Sequence, residues 1–288
     1  MTTENLACPI CCSETVACDM RKGNRFGGTF HLRHCPSCTF HFVADPVTNY
    51  AETYDGKYHV GAGSDPMVNH ASEYVHPETT IRKLDWEGIE RVITHRRPDG
   101  GRWLHYGTNA LIRNVARNES WQIASHDTGA WAAKARADGL VVLDADQRAK
   151  EKQRFDEITA IEVIDHIADL LAFLARFHTL ARAGTLLFLA ALNARVAPRN
   201  LPRGSYVPPE THVSFLTLQA LSLALKKRLP SGISRICPRM GKNHPVQGSQ
   251  EPRRPLQFRL AYAVAWADPF ATRRCPLSGA PPVVGIAN

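Results

Sequence analysis

The sequence predicts an α/β protein, a doubly wound and mostly parallel sheet preceded by a small cysteine-rich module. Three observations carry this. Between residues 99 and 193, short β-leaning runs alternate with helical stretches at least four times, a pattern that closes most economically into a parallel sheet with helices on both faces. The run TLLFLAAL, residues 185–192, is apolar throughout, as a strand covered on two sides must be. Two Cys-x-x-Cys pairs, CPIC at 8–11 and CPSC at 35–38, fall inside the first forty-five residues.

Those pairs define the first unit, residues 1–45. Cys8, Cys11, Cys35 and Cys38 supply four thiolates, and each Cys-x-x-Cys turn lets both of its sulfurs reach one ion, so the spacing reads as a tetrahedral Zn2+ ribbon. Pro9 and Pro36 stiffen the two turns, and the intervening NRFGGTFHLRHC alternates as a hairpin should. Cys12 and Cys18 are spare thiols. A segment this short has no core of its own, so the metal is its expected source of folding energy.

Residues 46–98 read as a linker and a helical segment. Tyr50, Tyr54 and Tyr58 recur at four-residue spacing, one stripe of a short helix. Such stripes usually pack, and a substrate-facing role is the less common alternative. A helix follows through Ile81, Leu84, Trp86, Ile89 and Val92–Ile93, and RPDGG stops it.

The α/β unit spans residues 99–267. GRWLHYGTNALIRNVARN reads as strand, tight turn at Gly107, then helix, the arrangement with which α/β proteins present backbone N–H groups to a nucleotide. WQIASHD is a second strand ending in Asp127, twenty residues past Gly107, the interval at which such units place a ribose-binding acid. An Ala-rich helix follows, capped by Gly139. LVVLDAD is a third strand ending at Asp144 and Asp146, and FDEITAIEVIDH a fourth that gives way to Glu162, Asp165 and His166. The helix DLLAFLARFHTLARAG is expected to end at Gly184 before the fifth strand. LTLQALSLALKKRL is an amphipathic helix, and GISRIC and LQFRLAYAVAWA close the sheet as two strands. Residues 268–288 have no pattern and read as a disordered tail. In such sheets a ligand lies across the carboxyl ends of the strands. Gly107, Asp127, Asp146, Glu162 and His166 all fall there.

Taken in order, the four-cysteine segment, DPVTNYAETYDGKYH, LHYG, HD, FDEITAIEVIDH, LLFLAALN and VPPETHVSFLTLQAL resemble class I S-adenosylmethionine-dependent methyltransferases that carry an N-terminal zinc-binding segment. The most specific pieces are FDEITAIEVIDH and PPETHVSF. The resemblance implies that Gly107 and Thr108 lie under the amino-acid end of S-adenosylmethionine, that Asp127 binds its ribose, and that Asp146 sits near the adenine. It also implies that Glu162–His166 border the transfer site, with His166, Glu210 and His212 as acid/base or substrate-orienting groups. The implied acceptor is a small molecule such as a sugar or another secondary metabolite. Against the family's Leu-Asp-x-Gly-x-Gly-x-Gly turn, this chain has His105 for the acid, Asn109 for the second glycine and Leu111 for the third. Asn tolerates a left-handed backbone, whereas a side chain at 111 is expected to crowd the ligand's approach. Loss of the acid at 105 is expected to remove a partner of the methionine amino group.

Charge narrows the partners. The 288-residue chain has a formal charge of +8, but eleven Lys/Arg against two acids lie from Lys226 onward, and the rest carries 24 basic and 25 acidic residues. That argues against a nucleic-acid-binding body. The most apolar stretch, Leu170–Leu192, is interrupted by Arg176, His178, Arg182 and Gly184, so no membrane span is expected. MTTENLACPICC has neither the basic nor the apolar region of a secretory signal, and a cytoplasmic protein is expected. Two readings stand: a methyltransferase acting on a small molecule, and a catalytically inactive relative that survives as a binding partner or a degenerate gene product.

Overall fold

The computed structural model describes residues 6–25, 27–65, 69–80, 82–116, 118–127, 131–152, 154–192, 194, 208–229, 233–240 and 259–266. At the front, β1 (Val16–Lys22), β2 (Thr29–His34) and β3 (His41–Val43) form an antiparallel meander. The two Cys-x-x-Cys turns repeat one geometry. Cys8 N donates to Ser13 O (2.8 Å) and Cys12 N to Cys8 O (2.9 Å), just as Cys35 N donates to Phe40 O and Thr39 N to Cys35 O (both 2.8 Å). The residue after each second cysteine is left-handed, Cys12 at φ 64° and Thr39 at φ 62°.

Three short helices follow, α1 (Tyr50–Thr53), α2 (Gly56–His59) and α3 (His70–Val75), and then α4 (Arg82–Arg96). The main sheet is built from β4 (Gly101–Tyr106), β5 (Trp121–His126), β6 (Val142–Leu143), β7 (Phe155–Ile161) and β8 (Ala181–Leu192). It is completed by β10 (Ile233–Met240) and β11 (Arg259–Trp266), and its order is β10-β11-β8-β7-β4-β5-β6. The first five pair in parallel and β11 runs antiparallel to β8. This is the expected doubly wound sheet, with one reversed strand near its edge.

Alternation along the strands builds two cores. Leu186, Phe188 and Ala190 of β8 join Trp103 and face α4 and α5 (Ala110–Val115). Leu187, Leu189 and Ala191 join Leu104 and Tyr106 and face α8 (Leu170–Leu180) and α9 (Leu218–Arg228). The second core also takes in Cys8, Ile10, Cys35, Cys38, Phe40 and Phe42, so the cysteine module packs on the helical layer. Helix α9 lies along both of its turns: Lys227 Nζ donates to Ile10 O (2.6 Å) and Gln219 Nε2 to Ser37 O (3.0 Å), while the cap Thr217 Oγ1 meets Thr39 Oγ1 (2.6 Å). A two-residue strand, β9 (Ser214–Phe215), pairs with β3 and becomes the fourth strand of the module's sheet.

Three expectations change in detail. The helix α8 ends at Leu180, not at Gly184, which lies inside β8 at φ +80°. There, four residues of β8 (182–185) lie against one of β7 (Asp156), and Gly184 O accepts from Arg97 Nη2 (2.5 Å). The glycine therefore serves a strand irregularity instead of a helix cap. The third strand shrinks to Val142–Leu143, because Asp144 caps α7 (Ala145–Lys150) in a capping box with Gln147. The Tyr50–Tyr58 stripe spans two short helices rather than one. The long connection 241–258 and the tail 268–288 lie outside the described residues. Among the described residues no helix is long and apolar enough to cross a membrane.

Two glycines separate steric conflict from backbone strain. Gly100 (φ +75°) and Gly139 (φ +85°) are both left-handed, but a Cβ on Gly100 would stand 1.8 Å from Ser120 O, while Gly139 faces open space. Urea titration is expected to show about 1–2 kcal/mol lost in Gly139→Ala, and about 2–5 kcal/mol in Gly100→Ala, where overpacking adds to strain.

Candidate active site

Strand β4 sits between β5 and β7, in register with both. Tyr106 pairs with His126 on one side and with Ala160 on the other. The next residues, Gly107, Asp127 and Ile161–Glu162, therefore emerge side by side at one rim. With strands ~4.8 Å apart, the backbones of Asp127 and Glu162 flank Gly107 about 10 Å from each other. Gly107 turns at φ +90° and donates its N–H to His126 O (2.9 Å). Glu162 is left-handed as well, at φ 53°, a conformation that costs a non-glycine residue of order 1 kcal/mol and clusters at functional sites.

The turn that departs from the glycine pattern is held by a chain of buried polar groups. Asn109 Oδ1 accepts from Leu111 N (3.0 Å), so the Asn109 amide nitrogen must be the atom that faces His105 Nε2 at 3.0 Å. That nitrogen carries only donors, hence His105 Nε2 accepts and its proton resides on Nδ1. His105 Nδ1 then donates to Thr159 Oγ1 (2.6 Å), which also accepts from Trp103 Nε1 (2.8 Å). Burial pushes the His105 pKa down to about 3. The imidazole in the acid's place is thus a neutral structural hub that fixes the start of α5. Leu111 does not crowd the rim: it is fully buried among Trp86, Ile89, Val115 and Phe188 on the α4 side of the sheet. Thr108, beside Gly107, is half-buried, and its hydroxyl makes no hydrogen bond among the described residues.

Beyond β7 the chain makes a short 3-10 turn, Ile164–His166. Asp165 is 2% exposed. Its Oδ1 stands 3.8 Å from His166 Nε2 and its Oδ2 3.8 Å from His212 Nε2. The two rings lie 4.4 Å apart. His212 is brought in by the backbone, since Val213 N donates to Asp165 O (2.8 Å). Burial holds both imidazoles near pKa 4, so both are neutral at pH 7. Tyr54 OH meets His166 Nδ1 at 2.8 Å, and Tyr50 OH accepts from Ala168 N (3.3 Å). The tyrosine stripe thus lies over the turn. Its neighbours continue along the rim, with Tyr58 stacked on His70 (5.1 Å) and His59 on Trp131 (5.5 Å). Asp127 acts electrostatically on His59. Arg82, from the start of α4, bridges Glu162 Oε2 (2.5 Å) and Glu73 Oε2 (3.1 Å).

The structure brings together Gly107, Thr108, Asp127 and Glu162, and separately His166 with His212. Two expected residues have other immediate surroundings. Asp146 lies exposed in the first turn of α7, three residues past Leu143 where β6 ends, because Asp144 starts the helix early. Glu210, 2% exposed, accepts from Arg25 N (2.9 Å) and is capped by Gly23, where a Cβ would meet its Oε1 at 2.1 Å. Its observed partner is the tip of the β1–β2 hairpin. Asp165 lies in the segment Glu162–His166 already expected to border the site, whereas Arg82 was not anticipated: nothing local to RKLDWEG pointed it toward a residue eighty positions away.

A family model described as Methyltransferase domain matches residues 62–228, more than half of the chain. The chain belongs to this methyltransferase-domain family. A ubiquinone biosynthesis O-methyltransferase of Rhodopseudomonas palustris is 37% identical over 67 residues, 19% of this chain and 26% of that protein. The chain thus aligns with about a quarter of that relative's length. Among solved structures, the plantazolicin methyltransferase BamL, determined with S-adenosylhomocysteine and a triazolic desmethyl analogue, superposes with a TM-score of 0.52 at 11% identity, over 73% of this chain and 94% of its own. A SAM-dependent methyltransferase from Archaeoglobus fulgidus gives a TM-score of 0.50 at 11% identity, over 66% and 96%. At such identities these likenesses show the fold, which the methyltransferase domain here shares.

Two measurements probe the polar chain under the rim. Thr159→Val leaves the Trp103 and His105 N–H groups buried without an acceptor and is expected to cost about 2–5 kcal/mol of stability. Because His105 is held neutral in the fold, the unfolded chain takes up a proton below pH 6.5 that the folded chain refuses until about pH 3. Stability therefore falls with acid across that window. Melting curves of His105→Gln are expected to fall less steeply than those of the wild type between pH 6.5 and 4.

Proposed function

We propose that this methyltransferase domain transfers a methyl group from S-adenosylmethionine to a small-molecule acceptor, and that its front module holds a structural Zn2+. The observation that carries the first part is the convergence of Gly107, Asp127 and Glu162 at one rim, with His166 and His212 just beyond and Leu111 turned away into the core. An amide-lined turn flanked by two carboxylates suits a ligand that has both hydroxyls and a cationic end. In this reading Gly107 and Thr108 take the amino-acid end and Asp127 the ribose, while Glu162, held by Arg82, borders the sulfonium. Displacement at that methyl needs alignment of the acceptor, and a base only when the acceptor must lose a proton. Neutral His166 or His212 suits either task. Asp146 has a weaker claim on the adenine than the rim residues, and Glu210 has a positioning role at the hairpin tip. An inactive relative is not favoured, since the rim geometry survives the changed glycine turn.

The Zn2+ assignment rests on the donor set. The four cysteine sulfurs lie within 4.8 Å of one another, with Cys8–Cys38 at 3.5 Å and Cys11–Cys35 at 3.4 Å. Tetrahedral thiolates at Zn–S distances of about 2.3 Å stand about 3.8 Å apart. The Cys38 thiol, and then the backbone amides of Cys11 and Ile10, hydrogen-bond the Cys8 sulfur and favour its thiolate.

Titration calorimetry of the zinc-loaded chain is the test. Saturable heat with S-adenosylmethionine and with S-adenosylhomocysteine is expected, and no heat at millimolar ligand overturns the enzyme reading. Asp127→Ala is expected to weaken cofactor binding about 10–100-fold, the loss of a charged hydrogen bond. Elemental analysis is expected to find one zinc per chain in the wild type and none in Cys35→Ser, with a lower melting temperature.

A further inference from the structure

We propose that Asp165, His166 and His212 form a second metal site, taking one first-row divalent cation just beyond the rim that carries Gly107, Asp127 and Glu162, separate from the cysteine module. Three side chains from two distant parts of the sequence direct one ligand atom each toward a common point. His166 Nε2 and His212 Nε2 each lie 3.8 Å from an oxygen of the same carboxylate, and the three ligand atoms all fall within 4.8 Å of one another. At 3.8 Å these are not hydrogen bonds. They are wider than the roughly 3.0–3.4 Å that imidazole and carboxylate ligands adopt around one ion at distances of 2.0–2.2 Å, so occupancy needs the three side chains to close inward on the ion.

The outer atoms of both rings are already engaged as metal-bound imidazoles require. His166 Nδ1 faces Tyr54 OH (2.8 Å) and His212 Nδ1 faces Thr211 Oγ1 (3.1 Å). Each hydroxyl takes the Nδ1 proton and leaves the Nε2 lone pair for the ion, the usual outer-shell support of a ligating histidine. Asp165 is nearly buried and the two imidazoles are about 13% exposed, and three protein ligands leave the ion a further position for water or an acceptor. Two imidazoles and one carboxylate with open positions favour Fe2+, Co2+, Ni2+ or Zn2+ over Mg2+ or Ca2+.

The consequence for the acceptor rests on the methyltransferase reading. An acceptor hydroxyl bound to the ion releases its proton to solvent more readily. The resulting oxyanion takes the sulfonium methyl as the S–CH3 bond breaks and its electron pair returns to sulfur, which leaves a neutral thioether. The site would therefore select acceptors with oxygen donors, above all vicinal pairs able to chelate.

Cobalt(II) titration of the full, zinc-replete chain tests the site without any turnover. One saturable equivalent is expected, with visible d–d bands and no sulfur-to-cobalt charge transfer, while zinc stays at one per chain. His212→Ala and Asp165→Asn are expected to abolish that equivalent, and Tyr54→Phe, which keeps the ring packing, to weaken it about 10–100-fold. Absence of saturable Co2+ binding up to millimolar, or binding unchanged in His212→Ala and Tyr54→Phe, overturns the proposal. Calorimetry with S-adenosylmethionine on the same samples shows whether each variant keeps its fold and its cofactor site. Failure of this proposal is thereby distinct from failure of the methyltransferase reading.

Discussion

Thr159 Oγ1 accepts two buried donors, Trp103 Nε1 and His105 Nδ1, from alternate residues of the neighbouring strand. Because side chains alternate across a sheet, sliding β7 by one residue against β4 would carry this hydroxyl to the opposite face. Two N–H groups would then be stranded in the core, at a cost comparable to a sizeable part of a domain's stability. The hydrogen bonds of a parallel ladder do not by themselves choose a register, and the apolar residues on both faces of β7 choose it weakly. A polar contact with a single geometric solution chooses it sharply. The position of Glu162 beside Gly107, and of Asp165 beyond it, follows from that choice.

The end of the sheet away from the rim of Gly107 shows how differently acids behave by position. Asp156 and Glu157 open β7, where Asp156 accepts from Arg102 N (2.9 Å) and pairs with Arg97 and Arg182. Glu157, fully buried, pairs with Arg97 at 2.9 Å. These carboxylates fasten the end of α4 and the start of β8 to the sheet. The acids at the other end face Arg82 from the start of α4 and, from the connecting segments, His166 and His212.

Much of this was legible in the sequence because it is periodic. The parallel strands, the helices facing them and the two cysteine turns each announce themselves within a dozen residues. Gly107 and Asp127 could be placed because a strand end and a turn are local features. Three things were not local. The role of His105 depends on Thr159, fifty-four residues away, and no pattern around LHYG distinguishes a lost acid from a replaced one. The inward turn of Leu111 depends on α4 offering Trp86 and Ile89 as neighbours. The destination of Glu210 depends on a hairpin tip 185 residues earlier, so its proximity in sequence to His212 was a poor guide to its company in space. The early stop of α8 was missed for a related reason: a glycine punctuates strands as readily as helices.

Strand β9 has a consequence for how the chain can vary. His212 is held between two attachments, Val213 N on Asp165 O and, one and two residues on, Ser214–Phe215 on the third strand of the front module. The module is therefore tied directly to the segment that carries the imidazole. A change at His41 or Phe42 is transmitted through two backbone pairings to the imidazole. Trading this ribbon for another of equal stability would re-aim a side chain beside Asp165, so the two parts of the protein are free to drift only together.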